Sequence, residues 1–249
     1  MPTLLLTSRQ TDDTQKLWRA CVAEKWHVER VHNWRVPQVN ANDVAVYGEP
    51  LFAHHVAEAL GLSLLEPAHD WLPSLPPHWR GREVRLMNLV DARKVRERAF
   101  VKPAEEKCFD ARIYSNGSEL PAPGPLPETL PVLVQEVVEW TLEFRCFVLD
   151  GRVATASPYW RDGRSAQTED ESWRASDSEM EAAIRFCERL VQEPGVSVPL
   201  AVVIDVGTIR SREWAVIESN AAWGSGIYGC DPVEVLRVLR RACIAKGTA

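Results

Sequence analysis

A chain of 249 residues can hold one large domain or two modest ones and bury a sizeable core. Its 45% hydrophobic and 26% charged residues are ordinary for a globular protein, and a net charge of −6 argues against a general nucleic-acid binder. No apolar run approaches the roughly 20 residues that a membrane-spanning helix needs.

Met1 to Arg9 lacks a basic leader followed by a long apolar stretch, so it is expected to open a first strand, not a signal peptide. Six cysteines (21, 108, 146, 187, 230 and 243) show no close pairing and no metal-type spacing, which points to a reducing, cytoplasmic setting. Cys146 and Cys187 fall on apolar faces and read as core thiols.

Residues 1–83 read as a small α/β domain. Leu4 to Thr7 is a strand, Asp12 to Lys25 a helix and Asp43 to Gly48 a second buried strand. Glu49 to Leu60 is a helix with Leu51, Phe52, Val56, Ala59 and Leu60 inward, stopped by Gly61. A proline-rich passage (Pro67, Pro73, Pro76, Pro77) ends at Arg80-Gly81-Arg82 and marks a linker.

Residues 84–249 read as a second, antiparallel-rich α+β domain. Phe100 to Pro103 is a short strand, and Asn116-Gly117 after Phe109 to Tyr114 signals a two-residue hairpin. A loop with five prolines (121–131) precedes an apolar strand, Val132 to Val138. Glu143 to Leu149 and Arg152 to Ser157 flank Asp150-Gly151 as a second hairpin. The polar stretch 161–175 reads as a mobile loop. Ser176 with Glu179 forms a capping box for a helix to about Gln192, and Asp231, Pro232 and Glu234 start a last helix to about Ala245.

Between those helices lie Val202 to Ile209 and Trp214 to Asn220, joined by Arg210-Ser211-Arg212-Glu213. With that four-residue loop, Asp205 sits across from Glu218, and Asn220 points to the same face two residues on. The opposite face, Val202, Ile204, Val206, Ala215 and Ile217, is apolar. Two opposed carboxylates repel each other in a bare sheet. A hard divalent cation with oxygen ligands reverses that, and Mg²⁺ held by few carboxylates and substrate phosphates is the common case.

Such a pair calls for an anionic ligand, and cations are at hand. Lys102 sits mid-strand between apolar neighbours, a costly place for an ammonium that meets no anion. Lys107 follows five residues later. Arg145 alternates onto one face with Glu143 and Phe147, and its guanidinium suits a γ-phosphate.

Phe100-Val101-Lys102-Pro103, Gln135-Glu136-Val137-Val138-Glu139, the strand with Glu143 and Arg145, Val203-Ile204-Asp205-Val206-Gly207 and Ile217-Glu218-Ser219-Asn220 together resemble ATP-grasp enzymes. Lys102-Pro103 followed by Lys107 and Phe109, with Gly226 to Pro232 after the metal strand, is similar to a compact bacterial and phage clade with a second phosphate-binding lysine. The resemblance implies an α+β, ATP-grasp fold in which two α+β subdomains clasp ATP, preceded by a small α/β pre-ATP-grasp domain. It also implies roles. Lys102 would contact the α- and β-phosphates, with Lys107 as the second cation. Backbone groups of Glu136 and Val138 would meet the adenine edge, and Glu139 or Glu143 the ribose. Arg145 would bind the γ-phosphate and, with Lys102, carry the catalysis. Asp205, Glu218 and Asn220 would hold Mg²⁺. The loop Ala104 to Cys108 departs from the superfamily pattern, having no glycine to build a backbone-amide cradle.

The expected activity is an ADP-forming carboxylate–amine ligase that passes through an acyl phosphate, on a small-molecule or peptide substrate. A kinase with a hydroxyl acceptor and a nucleotide-binding module without turnover stay open as alternatives.

Overall fold

The structure is a computed structural model and describes residues 1–105 and 108–246. β1 (Thr3–Thr7) lies between β2 (His27–Val31) and β3 (Val44–Tyr47) in a parallel sheet. α1 (Asp12–Ala23) connects the first two. The Thr11 hydroxyl accepts from the Thr14 amide at 3.2 Å while the Thr14 hydroxyl accepts from the Thr11 amide at 2.9 Å, so two orphan donors are met at its start. α2 (Pro50–Leu60) begins on proline, whose missing N–H costs nothing there. It ends on Gly61 at φ +65°, a left-handed turn that glycine adopts without strain.

β4 (Leu62–Leu64) pairs antiparallel with a strand from the far end of the chain, described below. The proline-rich passage is not a bare linker: it forms two single-turn helices, α3 (Trp71–Ser74) and α4 (Pro77–Arg80), which bury Trp71, Leu72 and Trp79. Proline within the first turn of a helix is tolerated, and the three apolar side chains supply the reason to fold.

β5 (Val84–Asn88) is followed by the turn α5 (Leu89–Ala92), β6 (Ala99–Pro103), β7 (Arg112–Tyr114) and β8 (Pro131–Gln135). They form a four-stranded sheet of order β5-β8-β6-β7. Asn116-Gly117 does not make the expected hairpin. The Asn116 side chain caps a 3₁₀ turn, accepting from the Ser118 amide at 2.9 Å. Gly117 is pressed so closely on α5 that a Cβ would lie 2.2 Å from the Ala92 carbonyl oxygen. Glycine is there for a close approach of backbones, which the dipeptide alone does not distinguish from a turn.

β9 (Trp140–Leu149) and β10 (Arg152–Arg161) form the second hairpin, longer than expected, with Asp150 at φ +51° and Gly151 at φ +71° in its turn. With β11 (Arg164–Ser165), β12 (Ala201–Ile209) and β13 (Trp214–Asn220) they make a five-stranded sheet, order β11-β10-β9-β12-β13. α6 (Asp177–Val191) covers one face. The last helix, α7 (Pro232–Arg241), stops short of the expected Ala245, because Cys243–Ala245 forms β14 against β4.

Alternation along β12 divides its side chains between two cores. Val202, Ile204 and Val206 pack with Phe144, Cys146 and Val148 under α6, and Ala201 and Val203 pack with Phe147 against the N-terminal sheet, α2 and α7. A bulge after Asp205 sets Val206 opposite Val216. Val216, not Ile217, therefore joins the core beneath α6. A third core, with Leu89, Val101, Tyr114 and Val134, belongs to the four-stranded sheet.

Candidate active site

Three adjacent strands place Arg145, Asp205 and Glu218 in one row: Asp205 is the register partner of Arg145 on β9 and of Glu218 on β13. The face they share is the one turned toward the N-terminal sheet. Asp205 is fully buried and its repulsion with Glu218 is relieved by cations. Arg145 Nε donates to Asp205 Oδ1 at 2.9 Å and Nη2 to Oδ2 at 2.7 Å, a bidentate pair. Lys102 reaches across from the four-stranded sheet to bond Glu218 Oε2. Asn220 Nδ2 ties the two acids, 3.0 Å from Glu218 Oε1 and 3.4 Å from Asp205 Oδ2. Burial opposes the charge of Arg145, but the Asp205 carboxylate outweighs it and holds the guanidinium above its ordinary value. Burial likewise works against ionised Glu218, yet Lys102 and Asn220 win and take that carboxyl down to about 2.

Arg145 spends a third donor, Nη1, on the Gly226 carbonyl at 3.0 Å. A guanidinium has five N–H groups, so two remain for a ligand. The rings of Tyr228 and Tyr159 lie 4.9 and 5.7 Å from its carbon and stack on each other at 5.1 Å. Tyr159 also donates its hydroxyl to Glu143 Oε2 at 2.5 Å, and burial pushes the Glu143 carboxyl up.

Beside this row, residues 136–139 cross from β8 to β9. The Glu136 amide donates to the Glu83 carbonyl at 2.9 Å, and its carboxylate pairs with Arg212 at 2.6 Å. Glu139 pairs through its carboxylate with Arg210 at 2.7 Å. Neither the Val138 amide nor its carbonyl has a hydrogen bond among the described residues, which leaves that peptide edge open. Lys107 lies outside the described residues.

A family model for an ATP-grasp domain, the second family of its clade, matches residues 79–238, more than half of the chain. The chain belongs to this ATP-grasp family. Its fold is shared by solved structures of low identity. One is the D-cycloserine synthetase DcsG (14% identity, TM-score 0.56, covering 96% of this chain and 98% of that one). Another is a RimK domain ATP-grasp protein from Sphaerobacter thermophilus (14%, 0.55, 96% and 98%). A third is the macrocyclase MdnC, solved with precursor peptide MdnA from Microcystis aeruginosa (11%, 0.53, 96% and 99%). No curated protein sequence matches the chain.

An ATP-grasp fold binds ATP, and its two sheets meet here at the Lys102–Glu218 pair. The donor set suits magnesium by type, two carboxylates and an amide oxygen, all hard; Asn220 turns Nδ2 toward both acids and would present its oxygen to an ion there after a flip of the amide. Among the described residues no cluster of three or more acids, histidines or cysteines could hold a metal alone. The set is therefore the sparse kind that substrate phosphates complete. Glu218 has both oxygens engaged, Oε2 by Lys102 and Oε1 by Asn220, and would ligate through their second lone pairs or once Lys102 leaves. Asp205 already gives both oxygens to Arg145 and could ligate only through their second lone pairs.

Two features of this ATP-grasp site depart from what the sequence leads one to expect. Arg82, in the proline-rich passage, is buried and spans the site's edge, bonding Gln135 of β8 and the Val216 and Ile217 carbonyls of β13. An arginine two residues from another at the end of a proline-rich passage gives no sign of burial, since only the fold brings β8 and β13 to it. The stretch 161–175 is the other. Thr168, Asp170, Ser172 and Arg174 bond one another, and Trp173 docks on Tyr228 with ring centroids 5.1 Å apart. The stretch expected to be a mobile loop is tied by these bonds and serves as a local scaffold for one indole.

Proposed function

We propose that the chain is an ADP-forming, magnesium-dependent carboxylate–amine ligase. The observation that carries the reading is the convergence of Lys102, Arg145, Asp205, Glu218 and Asn220 from two sheets on one cleft face. Within it, Lys102 binds the α- and β-phosphates, and Lys107 acts as the clade's second lysine. The open Val138 peptide and the Glu136 carbonyl take the adenine edge, and Glu139 or Glu143 takes the ribose. Residues 1–83 serve as the pre-ATP-grasp domain and 84–249 as the ATP-grasp domain. The two uncommitted N–H groups of Arg145 meet the γ-phosphate.

A substrate carboxylate oxygen attacks the γ-phosphorus, the bond to the β-phosphate oxygen breaks, and ADP leaves. An amine then attacks the acyl carbon, phosphate departs and the amine gives up a proton. Arg145 and Lys102 stabilise charge on the transferred group in place, so positioning supplies most of the acceleration. Glu218, Asn220 and Asp205 would hold Mg²⁺, whose chemistry there is neutralisation of phosphoryl oxygens. The substrate class is a small-molecule or peptide carboxylate with an amine. A D-cycloserine synthetase and a macrocyclase solved with its precursor peptide share the fold, which supports both ends of that range. No helix among the described residues is long and apolar enough to cross a membrane. The six unpaired cysteines support a reducing, cytoplasmic setting.

Protein incubated with Mg·ATP, hydroxylamine and pooled amino acids and short peptides should release ADP and yield a hydroxamate by mass spectrometry. Arg145→Met should slow this by about 100-fold. A phosphorylated hydroxyl product in place of the hydroxamate would convert the reading to a kinase, and nucleotide binding with no ADP release from any pool would remove turnover altogether.

A further inference from the structure

We infer that Asp13, Lys16 and Tyr47 of the N-terminal unit are positioning residues for Arg145, acting through the loop from Trp223 to Gly229. The inference rests on the reading of Arg145 as the γ-phosphate ligand. An irregular loop beside a buried site must find partners for its backbone groups, and here several of them are met by definite elements. On the outer side the N-terminal unit takes four in succession. The Gly48 amide donates to the Trp223 carbonyl at 3.1 Å, and the Tyr47 hydroxyl to the Ser225 carbonyl at 3.1 Å. The Ile227 amide donates to Asp13 Oδ2 at 3.1 Å, and Lys16 Nζ to the Tyr228 carbonyl at 2.9 Å. On the inner side the Gly226 carbonyl, flanked by these pegs, receives Arg145 Nη1.

Asp13 joins the pegs together, because the same Oδ2 also accepts the Tyr47 hydroxyl at 3.1 Å. Burial raises the Tyr47 phenol, so it stays a donor. The loop needs holding. Tyr228 sits at φ +49°, a conformation an aromatic residue keeps only where its surroundings over-determine it. Lys16 fixes the carbonyl of that residue, and Tyr159 and Trp173 fix its ring.

These pegs reach the chemistry because a guanidinium is planar and rigid. Asp205 fixes two of its nitrogens from within the sheet, and the Gly226 carbonyl fixes the third. One of the two uncommitted N–H groups is on that third nitrogen, so a shift of the loop tilts the donor that meets the ligand. Errors of about 1 Å in such a donor are costly. The α1 N-terminal turn and the end of β3 thus set the aim of an arginine on β9.

The test is calorimetric binding of Mg·ATP and Mg·ADP to the full chain, whose difference reports the γ-phosphate contact. Asp13→Ala should weaken Mg·ATP about 10-fold and leave Mg·ADP within about 2-fold, and Asp13→Asn, which keeps an acceptor oxygen, should recover most of the loss. In an Arg145→Met background Asp13→Ala should add nothing, since the two act in series. Equal losses for both nucleotides, or additive losses in the double variant, would overturn the inference. So would a silent Asp13→Ala beside an Arg145→Met that does lose Mg·ATP, a result that spares the assigned role of Arg145. If Arg145→Met itself discriminates the nucleotides as wild type does, that role falls and the inference with it. Should Asp13→Ala melt early, Lys16→Met and Tyr47→Phe, each removing one bond to the loop, carry the same comparison.

Discussion

Arg82 makes five hydrogen bonds, one for each N–H it owns: two to Gln135 Oε1, and one each to the carbonyls of Arg80, Val216 and Ile217, at 2.6 to 3.1 Å. Its carbon also lies 4.9 Å from the Trp140 ring. Burial pushes this guanidinium down to about 10, with Glu218 opposing. Nothing is left to bind a ligand, so Arg82 is a clamp that fixes the strand carrying Glu218 against the C-terminal end of β8. A lysine offers three donors from a single point and cannot replace it. Arg82→Lys should cost about 2–4 kcal/mol in urea denaturation, because buried carbonyls lose partners. A loss under about 1 kcal/mol would mean that water fills the gap.

Among the elements, α6 shows how a short sequence signature and a long-range partner combine. Ser176 and Glu179 form the capping box read from the sequence, and Arg161 of β10 adds a bidentate pair to Glu179 at 2.9 Å. Arg161 is the main reason that the Glu179 carboxyl falls from 4.5 to about 2. A depressed carboxyl contributes stability that is complete above its unfolded value and lost as pH falls through the folded one. Glu179→Gln should therefore lower stability by about 1 kcal/mol at neutral pH, allowing for solvent screening of a half-exposed pair. The gap between variant and wild type should close between about pH 4.5 and 2. A gap that persists to the acid end would show the contribution to be shape, not charge.

The same elements show what a sequence can and cannot carry. That Asp205 and Glu218 share one face of a local hairpin was legible, although the turn pairs Thr208 with Trp214 across five residues, not the expected four, and a bulge restores their opposition. The bulge one residue on was not, since it answers to packing of Val216 beneath α6. Capping residues and the left-handed Gly61 were legible for the same local reason. Arg82, the role of Gly117 and the pairing of β14 with β4 depend on partners 50 or more residues away or on a neighbouring backbone, and have no local trace. Two candidate pairings, Lys102 with Glu218 and Arg145 with Asp205, were present as separate residues, but that each cation would meet one acid is a product of the fold.

For the whole molecule, the N-terminal unit and the rest do not have separate interiors. Leu4, Leu6, Val46 and Val56 share one core with Phe147, Val203, Trp223, Leu236 and Leu239. The proposed boundary near residue 83 is thus a boundary in the chain more than in the packing. A fragment spanning 84–249 would expose one face of its main sheet and most of α7, at about 25 cal/mol for each Å² of apolar surface. It should show no sharp thermal transition by circular dichroism, and a cooperative melt near that of the full chain would refute the shared-interior argument.

The bridge between Lys102 and Glu218 has a consequence for how a nucleotide enters. Lys102, Arg145, Asp205 and Glu218 cancel one another pairwise, so the cleft presents no strong field to an approaching triphosphate. On the proposed roles, docking would be a swap of counter-ions: a phosphate taken by Lys102 would relieve Glu218 of its lysine as that carboxylate became available to a metal. Nucleotide and metal would then be coupled through a single broken contact, each making room for the other.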